Sequence, residues 1–488
     1  MTGDRPDSPS RRKRIAGLQL WVAPVVLTLC MTLPHLADGD WMRGDSGWYA
    51  AIGLQAWRTG ELWTLYADPG QPYFNKPPLV FWIVGLLMHA FGASAWTARL
   101  PSVAAAVASV VLSVAIAKRL AGRRVACAVG LVLPFTYEFF RRTREISLDM
   151  WQLGFLLGTV LLVVRGVQSR RAGPWMLAAG VPLGLALMTK PLMGLVALPL
   201  LGVWLTWIRR WRQSAWLAGT LAVSIAIAAP WHVSMMIQHD GAFSHQYFGS
   251  EIADRAIDGA AFDGGSPDPL FYFRQLLHGY WPWLVCVVLS LVLWARHGMI
   301  TRDGALERFA LTWGIGWLIL LTAFPDRRDR YSLVLFPALA MLSAIWLVRL
   351  APPSWRRVVR RACFVAAPAC VVLAGVVSAL PVRLQSRPNP QWPALEAWID
   401  ANGVTELWAG AFDGVRGSRV YLTQGWWPRP TYDQRGNWLA NPPRGALIVY
   451  HDEIEPRPGD NEHEVLRLGD LSVTRLEGDQ WRPHWPAD

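Results

Sequence analysis

Long apolar runs, broken by clusters of arginine and lysine, constrain this chain more than any other feature. Runs near the length needed to cross a bilayer, about 20 residues, fall at 15–36, 98–117, 122–140, 148–164, 173–189, 191–208, 214–235, 277–296, 306–324, 331–349 and 362–382. Backbone groups inside lipid must find partners within the chain, so such runs fold as helices. Hydrophobic residues fill 53% of the 488 positions and charged residues 17%, against about 25% charged in soluble domains. The expected fold is an all-α polytopic membrane protein with juxtamembrane helices and about 11–13 spans.

The basic clusters set the orientation. Arg11 to Arg14 precede the first run. Lys118, Arg119, Arg123 and Arg124 follow the second, Arg165, Arg170 and Arg171 the fourth, and Arg209, Arg210 and Arg212 the sixth. Arg296, Arg302 and Arg308 surround the loop after the eighth, and Arg356, Arg357, Arg360 and Arg361 precede the last. All fall on one side if residues 1–14 are cytoplasmic. The net charge of +12 therefore reads as positive-inside loops, not a nucleic-acid surface. No small-residue cleavage site closes the first run, so it reads as a retained signal anchor. Cys30, Cys127, Cys286, Cys363 and Cys370 lie in or beside apolar runs without metal-ligand spacing, and are expected to be buried thiols with no disulfide framework.

This topology divides the chain into a cytoplasmic N-terminus (1–14), a transmembrane domain (15–382) with outer segments 37–97 and 236–276, and an outer C-terminal domain (383–488). Within 37–97, "DSGWYAAIGLQAW" at 45–57 has an interfacial helical stripe, and "PPLVFWIVGLLMHAFG" reads as a juxtamembrane helix opened by Pro77 and Pro78. The polar tail holds one buried-strand candidate, "ALIVY" at 446–450, and reads as a small α/β domain.

Some charges break the pattern. Lys76, Arg141, Arg142, Arg144, Lys190, Arg255, Arg327, Arg328 and Arg330 fall at the outer ends of apolar runs, as do Asp45, Glu145, Asp149, Glu251 and Asp326. Charges at membrane depth are costly and mark functional candidates. A common anionic ligand accounts for the cations as a set, and a phosphate headgroup suits lysine and arginine. The plainer account is that they snorkel or pair among themselves. Asp45 suits a helix N-cap or a general base. Glu145 and Asp149, four apart, are expected on one helical face. Asp38-Gly39-Asp40 matches the DxD of metal-dependent sugar-nucleotide enzymes, but no nucleotide-binding domain surrounds it, and no Walker loop or dinucleotide fingerprint occurs. The activated donor is therefore expected to be a lipid.

In order along the chain come "GDSGWYA", "YFNKPPLVFWIVGLLMHAFGASAWTARLPS", "RTREISLDM", "LALMTKPLMGL", "APWHVSMMIQHDGAFSHQYF" and "DRRDRYSLVLFP". Over about residues 15–350 this set resembles the bacterial aminoarabinose (lipid A) transferase and protein O-mannosyltransferase-like family, membrane glycosyltransferases of the GT-C class. The resemblance implies sugar transfer from a polyprenyl-phosphate carrier to lipid A, lipopolysaccharide, another glycolipid or protein, at the periplasmic face of the bacterial inner membrane. It implies roles residue by residue: Asp45 and Asp149 as the catalytic carboxylate positions, Lys76 as the lysine on the carrier phosphate, and Arg327, Arg328, Arg330 and Tyr331 as the late phosphate-side motif. Arg142 joins the donor-phosphate set, and Tyr49, Glu145, Lys190, Glu251 and Arg255 are further substrate-binding candidates.

The chain also departs from the family pattern. Ser46 stands where an acidic pair is usual, Asn75 where glutamate often precedes the lysine, and Ile252 where histidine often follows the glutamate. No metal is expected on these residues, and no cofactor beyond the polyprenyl-phosphate-sugar co-substrate. The expected partners are that donor, a lipid or glycan acceptor and membrane lipids, with the chain acting as a monomer. A lipid-linked sugar flippase is the alternative; it would carry ionisable residues deep within spans and at both faces. An O-antigen ligase-like enzyme fits the outer face but not these motifs.

Overall fold

The computed structural model describes residues 9–39, 41–42, 45–68, 70–190, 193–254, 268–299, 304–354, 356–357, 369, 371–372, 376, 391–411, 414–425, 428–430, 441–452 and 457–484. The elements in chain order begin with α1 (Pro9–Thr32), α2 (Asp45–Thr59), β1 (Tyr66–Asp68), β2 (Gln71–Pro72), α3 (Leu79–Phe91), α4 (Ala95–Ala121), α5 (Arg123–Val132), α6 (Tyr137–Thr143), α7 (Leu148–Gln168), α8 (Ala172–Leu187) and α9 (Met193–Trp207). There follow α10 (Trp211–Ala215), α11 (Leu217–Ser244), α12 (Phe271–Gly279), α13 (Leu284–His297), α14 (Ala305–Ala323) and α15 (Phe336–Ile345). The tail adds α16 (Gln391–Ala401), β3 (Trp408–Ala411), α17 (Gly414–Gln424), β4 (Arg429–Pro430), β5 (Leu447–His451), β6 (Glu462–Leu468) and β7 (Leu471–Leu476).

Among the described residues five helices are long and apolar enough to cross a membrane, or six if α12 and α13, bent by 113°, form one span; Leu20–Thr32, α3, α8 and α9 are apolar but shorter. The chain is a multi-pass membrane protein. Several expected spans are interrupted. The run 122–140 breaks at Leu133–Phe135, a 3-10 turn containing Pro134, and Thr136 turns extended (φ −98°, ψ 134°) before α6 restarts. The run 277–296 becomes helical again only at Leu284, after Pro282; proline cannot supply the N–H that a helix interior needs. Conversely, the segment expected as an outer loop from 236 stays helical. α11 reaches Ser244 and a π-helical stretch continues to Asp254, with the direction changed at Asp240 (φ 46°, ψ −135°). Aspartate tolerates positive φ better than most residues. The last expected span, 362–382, lies largely outside the described residues, as do Cys363 and Cys370. Cys286 is buried, whereas Cys30 and Cys127, expected to be buried, are partly exposed.

The described residues form two compact units, one of Met1–Leu36, Phe74–Leu79 and Arg99–Val382, the other of Ala37–Tyr73, Val80–Ala98 and Arg383–Asp488. Ala37–Tyr73 and Val80–Ala98, within the first outer segment, group with the tail. In the helical unit, one apolar core runs through α4, α5, α7, α8, α9, α14 and α15. Two of its buried indoles find partners: Trp204 Nε1 donates to the Ala305 carbonyl (3.1 Å) and Trp313 Nε1 to that of Val334 (2.9 Å), as buried tryptophans favour. At about 1.5 Å per residue, the 21 residues of α7 span about 30 Å, one hydrocarbon core.

In the second unit, α2 and α3 cross closely. A Cβ on Gly85 would lie 2.0 Å from the Gly53 carbonyl oxygen, so the two backbones meet where only glycine fits. The tail forms a five-stranded sheet in the order β4-β3-β5-β7-β6, parallel between β3 and its two neighbours and antiparallel elsewhere. Along β5, Val449 enters the core under Trp392 and Leu395, while Ile448 and Tyr450 join Trp408 and Trp481 on the opposite face. That alternation is the period-two signature of a strand. The tail is the small α/β domain that the sequence predicts.

Candidate active site

The anomalous charges of the helical unit gather where α7 begins. Ser147 caps this helix, accepting from the Met150 N–H (3.2 Å), and Asp149 occupies the first turn. A helix N-terminus favours a carboxylate. Lys190, in the turn after α8, donates to Asp149 Oδ1 at 2.6 Å, and both side chains are buried. The same ammonium lies 4.9 Å from the Tyr331 ring centroid. Burial pushes Lys190 down to about 8, against the pull of Asp149 and helped by the positive fields of Arg330 and Lys76. Lys76 and Arg330, from distant parts of the chain, both act on Lys190 here.

Lys76 is placed by its neighbours. Pro77 and Pro78 carry no N–H, and the next donor, Leu79 N–H, reaches the Met188 carbonyl (3.3 Å) in the turn that carries Lys190. The Asn75 amide oxygen accepts from Gln246 (2.7 Å). The Lys76 ammonium donates to its neighbouring Asn75 carbonyl (3.0 Å) and forms an ion pair with Glu251. The turn of the chain at Asp240 delivers Gln246 and Glu251 on the π-helical stretch. Arg255 lies outside the described residues.

The late motif supplies the third side. Asp326 is buried, accepts from Arg328 Nε (2.9 Å) and receives the Tyr331 hydroxyl at 3.4 Å. The Arg328 backbone N–H donates to the Tyr272 hydroxyl oxygen (3.3 Å). Arg327 donates to the Thr322 carbonyl through Nε (3.2 Å) and Nη2 (2.9 Å), closing the last turn of α14. The Arg330 guanidinium carbon stands 6.0 Å from the Tyr331 ring centroid.

Other predicted residues pair with carboxylates or with backbone carbonyls. Arg142 meets three carboxylates: Glu138 (2.6 Å), Glu145 (2.6 Å) and Asp329 (2.7 Å). Arg141 joins them through Glu138 and Asp329. A buried arginine so surrounded is compensated. It ties α6 to the late motif. Glu145 precedes α7 and does not share a helical face with Asp149, as its spacing suggested, because the helix begins only at Leu148. Arg144 is fully buried and donates to the carbonyls of Thr32 (2.7 Å), Pro34 (2.6 Å) and His35. Of these, the Thr32 carbonyl is one that the end of α1 leaves without a helical partner. Glu138 and Asp329 were not singled out from sequence. The three- and four-residue spacing of Glu138 to Arg141 and Arg142 carried the signal for one of them.

Asp45 and Tyr49 belong to the other unit. Asp45 is the first residue of α2, not the residue before it, and the Tyr49 hydroxyl donates to its Oδ2 at 3.4 Å, one turn along. Tyr49 is buried and meets Phe81 edge-on at 5.2 Å.

Solved structures and sequences bear on this arrangement. The crystal structure of ArnT from Cupriavidus metallidurans in the apo state superposes with a TM-score of 0.71, and that of the same protein bound to undecaprenyl phosphate with 0.67; each is 19% identical and covers 96% of this chain and 100% of its own. The chain shares the fold of these two structures. Residues 75–233 match the dolichyl-phosphate-mannose-protein mannosyltransferase family, a region holding Lys76, Asp149 and Lys190 but neither Asp45 nor the late motif. An undecaprenyl phosphate-alpha-4-amino-4-deoxy-L-arabinose arabinosyl transferase of Edwardsiella ictaluri is 29% identical over 354 residues, which is 69% of this chain and 60% of that protein. The chain thus spans about 60% of the length of this relative. The resemblance read from the ordered motifs agrees with all three. A metal does not fit the residues at the position where the resemblance would put one. Ile252 offers no donor, Glu251 is engaged by Lys76, and among the described residues no three His, Cys, Asp or Glu side chains are grouped as ligands.

Proposed function

We propose that this protein is an integral-membrane glycosyltransferase that moves a sugar from a polyprenyl-phosphate-linked donor to a lipid, glycan or protein acceptor. The observation that supports it most is the meeting of Lys76, Lys190 and Arg330 near Asp149 and Tyr331 at one end of the helical unit. Cations forced together at a membrane boundary favour an anion, and a phosphate matches lysine and arginine. Charge builds on the departing phosphate oxygen during glycosyl transfer, and preorganised cations stabilise it.

In this reading Lys76 and Arg330 hold the carrier phosphate. Lys190 holds Asp149 in place and adds its charge, and Glu251 stands on Lys76 until the phosphate displaces it. Asp326 and Tyr272 orient the Arg328 segment, while Arg142 and its three carboxylates fix the late motif. Asp45 is assigned by the family resemblance: it takes the acceptor's proton or orients the acceptor, and only orients it if the acceptor is an ionised phosphate. The transfer is a single displacement with inversion at the sugar carbon. The protein works as a monomer in the bacterial inner membrane, with a cytoplasmic N-terminus and the cation cluster and C-terminal domain on the periplasmic side. Undecaprenyl phosphate is the carrier class, after the named relative and the bound ArnT structure. Ser46, Asn75 and Ile252 depart from the family pattern, so aminoarabinose and lipid A are tested as one case among others.

The test is mass spectrometry of membrane lipids and lipopolysaccharide from cells lacking the protein, complemented with wild type or Lys76→Ala. A sugar-sized mass on an acceptor seen only with wild type supports the reading. Full product with Lys76→Ala contradicts it, and accumulation of the intact sugar-carrier on the cytoplasmic side points to a flippase.

A further inference from the structure

The helix that begins with Asp45 is held by the C-terminal domain as well as by its sequence neighbours. Near its start, Trp48 meets Tyr73 edge-on at 5.3 Å and Tyr49 meets Phe81. In its middle, Gly53 touches α3 backbone to backbone. Near its end, Trp57 Nε1 donates to the Trp82 carbonyl (2.8 Å). On another side it packs against α17 of the tail, where the Arg58 guanidinium carbon lies 5.3 Å from the Tyr421 ring centroid. Val420, Tyr421 and Leu422 are buried. The chain of contacts continues inward. Arg419, itself buried, stacks on Trp392 of α16 at 4.6 Å, and Trp392 lies in the core of the sheet domain. Through α17, contacts thus run from the tail's hydrophobic core to the helix bearing Asp45.

We propose that the C-terminal domain is a positioning element for α2, with Arg58 and Tyr421 as the positioning pair. This rests on the transferase reading and on Asp45 in its proposed role. The physical basis is rigidity. Arg58 is 13 residues from Asp45, about 20 Å along a helix, so a tilt of α2 at the Arg58 end shifts Asp45 at the other. A shift of about 1 Å in a reacting group costs up to about 100-fold in rate. A cation over an aromatic ring contributes through the ring's negative face, which phenylalanine shares with tyrosine. The domain would therefore act on turnover without touching the donor phosphate.

The experiment uses the full-length protein in detergent. Tyr421→Leu, Tyr421→Phe, Arg58→Met and Arg58→Lys are compared for hydrogen exchange of the α2 amides, turnover and affinity for undecaprenyl phosphate. We expect faster α2 exchange and about twofold to fivefold lower kcat in Tyr421→Leu and Arg58→Met, with donor affinity unchanged. Tyr421→Phe and Arg58→Lys restore both readouts. Unchanged α2 exchange in Tyr421→Leu overturns the proposal, as does a parallel loss of donor affinity and melting temperature. Faster α2 exchange in a protein whose wild type transfers no sugar leaves the mechanical link standing and removes the transferase reading instead.

Discussion

The two ends of α7 use the same residue types in opposite ways. At its C-terminal end the basic residues meet neutral partners: Arg119 donates to the Gln168 amide oxygen (3.1 Å), Arg349 to the Ala121 carbonyl (3.2 Å), and Lys118 and Arg165 sit over Trp21 and Trp175 at 4.8 and 5.0 Å. At its N-terminal end, Lys76, Arg142 and Lys190 are buried against carboxylates. The first pattern is that of charges resting at an interface, with indoles as anchors. The second confines charge away from water, which is unfavourable unless every group is compensated. A protein that only needed anchoring would have two ends alike.

Substitutions at the two ends should therefore differ most. Lys76→Ala should reduce transfer by about 100-fold to 1000-fold, the cost of removing one preorganised charge-stabilising donor, measured as product formed from a polyprenyl-phosphate sugar. Next comes Lys190→Met, at about 100-fold. Lys190 titrates near 8, below the ordinary lysine range, so its ammonium is present below that pH and lost above it. Wild-type activity should accordingly fall as pH rises through about 8. A pH–rate profile of Lys190→Met should lack that limb, and an identical limb in the variant would remove Lys190 from the account.

Arg144 sharpens the comparison from within the cation-rich end. It stands next to Arg142 and Arg141 in sequence but binds only carbonyls among the partners described above. Arg144→Ala should destabilise the fold by about 2 kcal/mol, read as a lower melting temperature, while the folded fraction keeps its affinity for undecaprenyl phosphate. Smaller still, Glu251→Gln should strengthen binding of undecaprenyl phosphate about threefold to tenfold by removing the competing negative charge on Lys76; weaker binding would mean that Glu251 helps to hold the ligand. Arg119→Ala, at the far end of α7, should change activity by less than about twofold, as for an exposed polar contact.

The distribution of these charges was legible in the sequence, but their division of labour was not. Basic clusters at alternating ends of apolar runs exposed the exceptions directly, and "DSGWYAAIGLQAW" and "ALIVY" carried enough local periodicity to give α2 and β5. Local pattern could not separate Arg144 from Arg142, because the carbonyls that Arg144 binds lie 109 to 112 residues away. Pairing of Lys76 with Glu251 spans 175 residues and depends on the change of direction at Asp240. Hydropathy also ran straight through the interruptions at Pro134 and Pro282, because proline stops a helix without making the run less apolar. The contact of Arg58 with Tyr421 has no sequence signal at all, since neither residue stands in a motif.

The most direct test is binding of undecaprenyl phosphate to the purified full-length protein in nanodiscs, followed by native mass spectrometry, for wild type, Lys76→Ala, Arg330→Ala and Arg119→Ala. A one-to-one complex is expected for wild type and Arg119→Ala, and its loss in Lys76→Ala and Arg330→Ala. Equal binding by all four proteins would contradict that expectation.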